Sequence, residues 1–198
     1  MEGVLIIIIN LSHKYFQFIG CGGGKGTTTY ELGGFTMDFM GRIKETFSGL
    51  KQPAYPELKS AIQSLTGITE NVSFYATKPE KLSYGRNVLF QTDELEVILI
   101  NMPPGEQTPI HDHGESIGCV YVVEGELVNM AFTLEENDRP VFLSENRVGE
   151  GEFLEVTRDL IHLLHNSSDQ RFISFHVYSP PLTAMKNYEY SFEENGVY

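Results

Sequence analysis

The stretch Gly105-Glu106-Gln107-Thr108-Pro109-Ile110-His111-Asp112-His113-Gly114-Glu115-Ser116-Ile117-Gly118, continuing to Gly125, decides how this chain folds. Five residues separate Gly105 from His111, four separate His113 from position 118, and six more lead to Gly125. Side chains of an extended segment alternate between two faces, so His111 and His113 project to one side and Asp112 to the other. Two imidazoles side by side make adjacent metal ligands. A second stretch is similarly spaced: Gly151, then Thr157, Asp159, His162 and Asn166. His162 sits in the apolar run Ile161–Leu164. If it points inward, His165 falls on the opposite face, so His162 is read as the third ligand and His165 as an exterior residue. A lone histidine in a strand is commonly a satisfied core or surface group. A His-x-His pair followed by an inward-facing histidine is a metal-site pattern, and imidazole ligation by itself admits zinc, copper, nickel or iron.

Working outward, residues after Pro79 read as short strands: Glu94–Met102, Ile117–Val123, Leu127–Phe132, Phe153–Val156, Ile161–Leu164 and Phe172–Tyr178, punctuated by Gly, Pro, Asn and Asp. Many short strands with regular turn signals indicate a sandwich or barrel. Before them, Phe39, Ile43, Phe47 and Leu50 form a one-sided apolar stripe, ended by Gly49 and Pro53. Pro56–Leu65 reads as a second amphipathic helix that packs on something larger. Ahead of Met37 lie an apolar stub and the run Gly22-Gly23-Gly24-Lys25-Gly26-Thr27, which lacks the Gly-Lys-Ser/Thr of a phosphate-binding loop. Residues 1–36 are expected to be a flexible or mistranslated upstream extension, with Met37 as the true start and 37–198 as the domain.

The 198 residues suit one main domain with an ordinary core. A formal net charge of -13 argues against nucleic-acid binding and against anionic membrane surfaces, leaving a small molecule as the expected partner. Two cysteines, Cys21 and Cys119, form neither a disulfide framework nor a Cys-x-x-Cys pattern, which fits a reducing cytoplasm. The run Val4–Ile9 follows Glu2 instead of a basic segment and is not read as a signal peptide.

The two spaced stretches resemble both cupin signature motifs, which implies an all-β cupin barrel (a double-stranded β-helix or jelly roll) with N-terminal helices. Two departures stand out: Gly118 occupies the place of a usual metal-binding glutamate, and Thr157-Arg158-Asp159 replaces a Pro-x-Gly. Three neutral imidazoles without that glutamate leave a divalent ion its full charge and open positions, suited to an anionic chelating substrate with O₂. Tyr84-Gly85-Arg86-Asn87, His111-Asp112-His113, His162 and Ser174-Phe175-His176-Val177-Tyr178-Ser179-Pro180-Pro181 occur in the order seen in cysteine dioxygenases, and over residues 84–181 the chain resembles that family.

The resemblance implies an iron(II) enzyme that turns the thiol of L-cysteine into a sulfinic acid with O₂. His111, His113 and His162 would hold the metal. Arg86, with Tyr84 beside it, would bind the substrate carboxylate through the paired hydrogen bonds a guanidinium offers. Tyr178, oriented by His176 and Ser174, would face the substrate, and the Ser179-Pro180 bond would be cis. Period two puts Ser174, His176 and Tyr178 on one face; a polar stripe on an exposed strand is the alternative. The alternative for Arg86, less favoured, is a surface residue of a Tyr-Gly-Arg-Asn turn. Animal-type members carry a cysteine at the Gly118 position that crosslinks to the tyrosine. Cys119 has the wrong strand parity, so no crosslink to Tyr178 is expected. A 3-mercaptopropionate dioxygenase, typically with glutamine at the Arg86 position, is the nearest rival. Another cupin enzyme and a non-catalytic metal or ligand sensor are more distant ones. The acidic tail Glu189–Tyr198 reads as solvated or as a lid.

Overall fold

The structure, a computed structural model, describes residues 5–10, 15–20, 29–31, 35–77 and 82–189. Three short strands, β1 (Leu5–Asn10), β2 (Tyr15–Gly20) and β3 (Thr29–Glu31), pair antiparallel in a sheet of their own. The glycine run Gly22–Thr27 lies outside the described residues, as does Cys21. Helices α1 (Phe35–Phe47), α2 (Tyr55–Ser64) and α3 (Ile68–Tyr75) follow. In α2, Pro56 falls in the first turn, and the Glu57 carboxylate accepts from the Ala54 amide at 2.9 Å, satisfying a donor that the helix cannot. No described helix is long and apolar enough to cross a membrane.

Ten further strands make two five-stranded antiparallel sheets. The first orders β10 (Phe153–Val156), β7 (Ile117–Glu124), β12 (Phe172–Ser179), β5 (Glu96–Met102) and β4 (Gly85–Gln91). The second orders β13 (Asn187–Tyr188), β6 (Ile110–His111), β11 (Ile161–His165), β8 (Glu126–Leu134) and β9 (Pro140–Gly149). This is the cupin barrel with preceding helices that the sequence implies. The strand read as starting at Glu94 begins at Glu96. Strands β4, β9 and β13 and helix α3 escape the sequence reading, as do β1–β3 in the segment read as a flexible extension. Strand β9 is an edge strand with a largely exposed middle, so it has no apolar alternation to detect. Strand β4 begins inside the Tyr84-Gly85-Arg86-Asn87 segment, so Arg86 stands on a strand and not in a turn. Helix α3 has only eight residues, too few to develop a stripe.

The first sheet is covered on both faces, which is why β5 and β12 are buried at every position and read as continuous apolar runs. Val97, Leu99, Cys119, Phe175 and Val177 pack outward against Phe39, Ile43, Phe47 and Leu58 of the helices. Phe47 and Phe175 rings stand 6.3 Å apart. Each such fully buried side chain contributes about 1.5–3 kcal/mol through apolar burial. The alternate residues Ile98, Ile100, Val120, Val122 and Tyr178 turn into the barrel with Leu164, Val156 and Leu127. Because the outward face is buried too, Ser174, His176 and Tyr178 belong to an interior face and not to an exposed stripe.

Gly105, Gly125 and Gly151 have φ of 75°, 83° and 83°, a left-handed conformation that favours glycine. Gly125 joins β7 to β8, and a Cβ there would come within 3.0 Å of the Arg171 carbonyl. Asn166, fully buried, donates to the carbonyls of Met102, Pro103 and Gln170 and exchanges backbone bonds with Gly105 and Glu106. The last residue of the second motif thereby clamps the first residue of the first.

Candidate metal centre

Backbone pairing brings the histidines together. His162 on β11 lies opposite His111 on β6, and His113 follows where the chain leaves β6 to cross to β7 in the facing sheet. The ring centroids form a nearly equilateral triangle: 4.9 Å for His111–His113, and 4.8 Å for both His111–His162 and His113–His162. One nitrogen from each ring falls within 4.8 Å of the others. All three residues are buried.

The remaining ring atoms select the ligating ones. His111 Nδ1 is 2.9 Å from the Pro109 carbonyl, and His162 Nδ1 is 2.6 Å from Asn129 Oδ1. Both pairings require a proton on Nδ1 and leave Nε2 with a free lone pair. His162 Nε2 and both His113 nitrogens are buried without a hydrogen-bond partner. Orphaned buried nitrogens are costly unless something binds them. Asn129 is itself fixed, its amide donating to Asn146 Oδ1 at 2.9 Å.

Electrostatics keep the rings neutral, as metal ligands must be. Burial, then the His111 ring, hold His113 down to about 4, with the Leu160 carbonyl and the Asp112 charge opposing. Burial lowers His111 as well, against the Pro109 carbonyl. Burial and the two neighbouring imidazoles push His162 well below the ordinary range. This donor set fits a divalent transition metal.

Facing the histidines across the barrel is a polar chain on β12. Ser174 Oγ lies 2.7 Å from His176 Nε2, and His176 Nδ1 lies 3.0 Å from the Tyr178 hydroxyl. Burial first, then the Arg86 charge, takes His176 down to about 3. Burial raises Tyr178, with Arg86 opposing. A neutral imidazole and a protonated phenol follow at neutral pH. The Tyr178 ring stacks on His113 at 5.6 Å and 17°. Its register partner is Gly118. A Cβ at Gly118 would sit 2.5 Å and 2.6 Å from Tyr178 ring carbons, so the absent side chain is what admits the tyrosine.

Arg86, Tyr84, His111, His176, Tyr178 and Ile98 line one cavity of about 260 Å³ between the sheets. Five of the eight residues singled out from the sequence (Arg86, Tyr84, His111, His176 and Tyr178) thus share its walls, with His113, His162 and Ser174 immediately behind. A larger hollow of about 540 Å³ on the helix side, among Ile62, Glu70, Tyr121 and Phe153, contains no histidine or cysteine. Cys119 pairs with Val177 and points into the helix-side core, away from Tyr178, where burial raises its thiol to about 12. His165 is half-buried on the other face of β11. The Ser179-Pro180 bond is cis.

Three partners escaped the sequence reading. Asn129 interrupts an apolar strand, a signal that alternation alone cannot rank. Asp112, turned away from the three histidines as expected, accepts from the Lys186 and Gly114 amides and from the Tyr188 hydroxyl at 2.7 Å. Burial pushes its carboxyl up, but these bonds win and hold it below the usual value. They fasten β13 beside His111, just ahead of the segment read as a tail. The third is Glu96, buried at the start of β5.

Two facing antiparallel sheets with three converging imidazoles between them define a cupin with a candidate metal centre. The family model described as cysteine dioxygenase type I matches residues 55–191, more than half of the chain, and the chain belongs to that family. Among solved structures it is similar to a double-stranded β-helix protein of Klebsiella pneumoniae (19% identity, 60% of this chain and 95% of that one, TM-score 0.48). It is likewise similar to the TT1209 protein of Thermus thermophilus (20% identity, 56% and 95%, TM-score 0.47).

Proposed function

We propose that this protein is an iron(II)-dependent thiol dioxygenase acting on L-cysteine, with both atoms of O₂ transferred to the sulfur to give cysteine sulfinic acid. The observation that carries the reading is a single cavity holding a guanidinium, a tyrosine hydroxyl and a metal-site imidazole together. Arg86 would take the substrate carboxylate by paired, charge-assisted hydrogen bonds, with Tyr84 beside it in the cavity wall. An iron(II) ion held by His111, His113 and His162 would supply open positions and electron-transfer chemistry with O₂.

The polar chain has a direction that suits this role. If Ser174 donates to His176 Nε2, the neutral ring carries its proton on Nδ1 and donates it to the Tyr178 oxygen. The Tyr178 O–H is then left free to donate into the cavity, toward the substrate. A preorganised donor there stabilises negative charge as it develops, with no reorganisation during the reaction. Ile98, Ile100 and Leu164 give the same space an apolar wall.

The test is anaerobic loading with iron(II), followed by O₂ uptake and sulfinate formation with L-cysteine and with 3-mercaptopropionate. Preferential turnover of cysteine, lost in Arg86→Gln, is expected. Preference for 3-mercaptopropionate would reassign the substrate within the family. Binding of iron and cysteine without O₂ consumption would replace catalysis by a sensing or binding role.

A further inference from the structure

Glu96 is a buried acidic side chain in the inner wall of the barrel, 3% exposed, and none of the roles above employs it. Its strand position pairs with Tyr178 on one side and Gln91 on the other. Oε1 accepts from the Leu182 amide at 2.7 Å. Oε2 stands 3.5 Å from Arg86 Nη2. Among the described residues, Glu96 is the carboxylate within 4 Å of that guanidinium. The Arg86 side chain is a third exposed and lines the cavity, so the guanidinium that meets Glu96 through Nη2 has further donors to offer.

We infer that Glu96 is a positioning residue for the carboxylate anchor: its fixed carboxylate holds one edge of the Arg86 guanidinium so that the other edge is presented to the substrate. The inference rests on the proposed role of Arg86. The Leu182 amide holds Oε1, and Oε2 is the oxygen that meets the arginine. A long arginine side chain otherwise samples many rotamers, and ordering it on binding costs affinity that a preset partner removes. A buried carboxylate in turn needs a cation and hydrogen bonds to remain there, which Arg86 and Leu182 provide. Leu182 also lines the cavity, so the same carboxylate ties the anchor to the chain following β12.

Glu96→Gln keeps the shape and an acceptor for the Leu182 amide while removing the charge that holds Arg86. The measurement is calorimetric binding, without O₂, of L-cysteine and of cysteamine to the metal-loaded protein. Cysteamine has the same thiol and amine but no carboxylate. Glu96→Gln is expected to weaken cysteine binding about tenfold, the loss of one charge-assisted contact, and to leave cysteamine binding and metal content unchanged. In an Arg86→Gln background the substitution is expected to have no further effect. Unchanged or tighter cysteine binding in Glu96→Gln overturns the inference. So does an equal loss for both ligands, or a loss that persists in the Arg86→Gln background. A wild-type protein that binds cysteine through Arg86 and Glu96 yet consumes no O₂ supports the inference while refuting the proposed reaction. Cysteine binding indifferent to Arg86 refutes both.

Discussion

Replacing Gly118 by alanine tests the packing on which the tyrosine's position depends. The added Cβ would lie 2.5 Å and 2.6 Å from Tyr178 Cδ1 and Cε1, and 3.3 Å from Val156 Cβ. Carbon atoms in contact prefer about 3.5–4.0 Å, so the ring must retreat by roughly an ångström. It has little room: Tyr178 is buried, stacked on His113 at 5.6 Å, and 3.0 Å from His176 Nδ1. Overpacking of this kind costs about 1–3 kcal/mol. For a domain of this size, each kcal/mol lowers the melting temperature by about 2–4 °C. Thermal unfolding of Gly118→Ala should therefore move down by roughly 2–12 °C. Oxygen uptake should fall with it as the Tyr178 hydroxyl leaves its bond to His176. Tyr178→Ala removes the clashing ring, so in that background Gly118→Ala should cost little, giving a coupling of about 1–3 kcal/mol. An unshifted melting curve for Gly118→Ala, or the same loss in both backgrounds, would refute the steric reasoning.

Two further outcomes follow from the same geometry. Asn129→Ala removes the acceptor that holds His162 Nδ1 at 2.6 Å, and should weaken metal binding about 10–100-fold; a competition titration with a chelator that shows wild-type affinity would exclude this role. In metal-free protein, His113 and His176 are held at about 4 and about 3 in the folded state, below the 6.5 of a free imidazole. Below pH 6.5 the unfolded chain takes up protons that the folded one refuses, so stability falls as pH drops from there toward the folded values. At about 1.4 kcal/mol per pH unit and group, going from pH 7 to pH 5 should cost about 2 kcal/mol per histidine. Urea midpoints that stay flat over that interval would show the rings are not held neutral.

Much of the site was legible in the sequence because strand periodicity is a local property. His111 and His113 two residues apart, and Ser174, His176 and Tyr178 at alternate positions, had to share faces once their segments were extended, whatever packed around them. The motif glycines and Asn166 marked the turns for a similarly local reason. Parity also kept Cys119 off the face of Tyr178. Tertiary structure alone decided which faces met. That Phe175 and Val177 turn into a helix-covered core, leaving the polar chain inside the barrel, depends on α1 and α2 packing on the first sheet. That Arg86 stands on β4 depends on pairing with β5, since the Tyr84–Asn87 segment reads as a turn by composition. Asn129 behind His162, Asp112 holding β13, and Glu96 against Arg86 join residues 33, 76 and 10 positions apart. No periodicity encodes such contacts, because a side-chain contact between strands exists only when the chain's register has already brought them together.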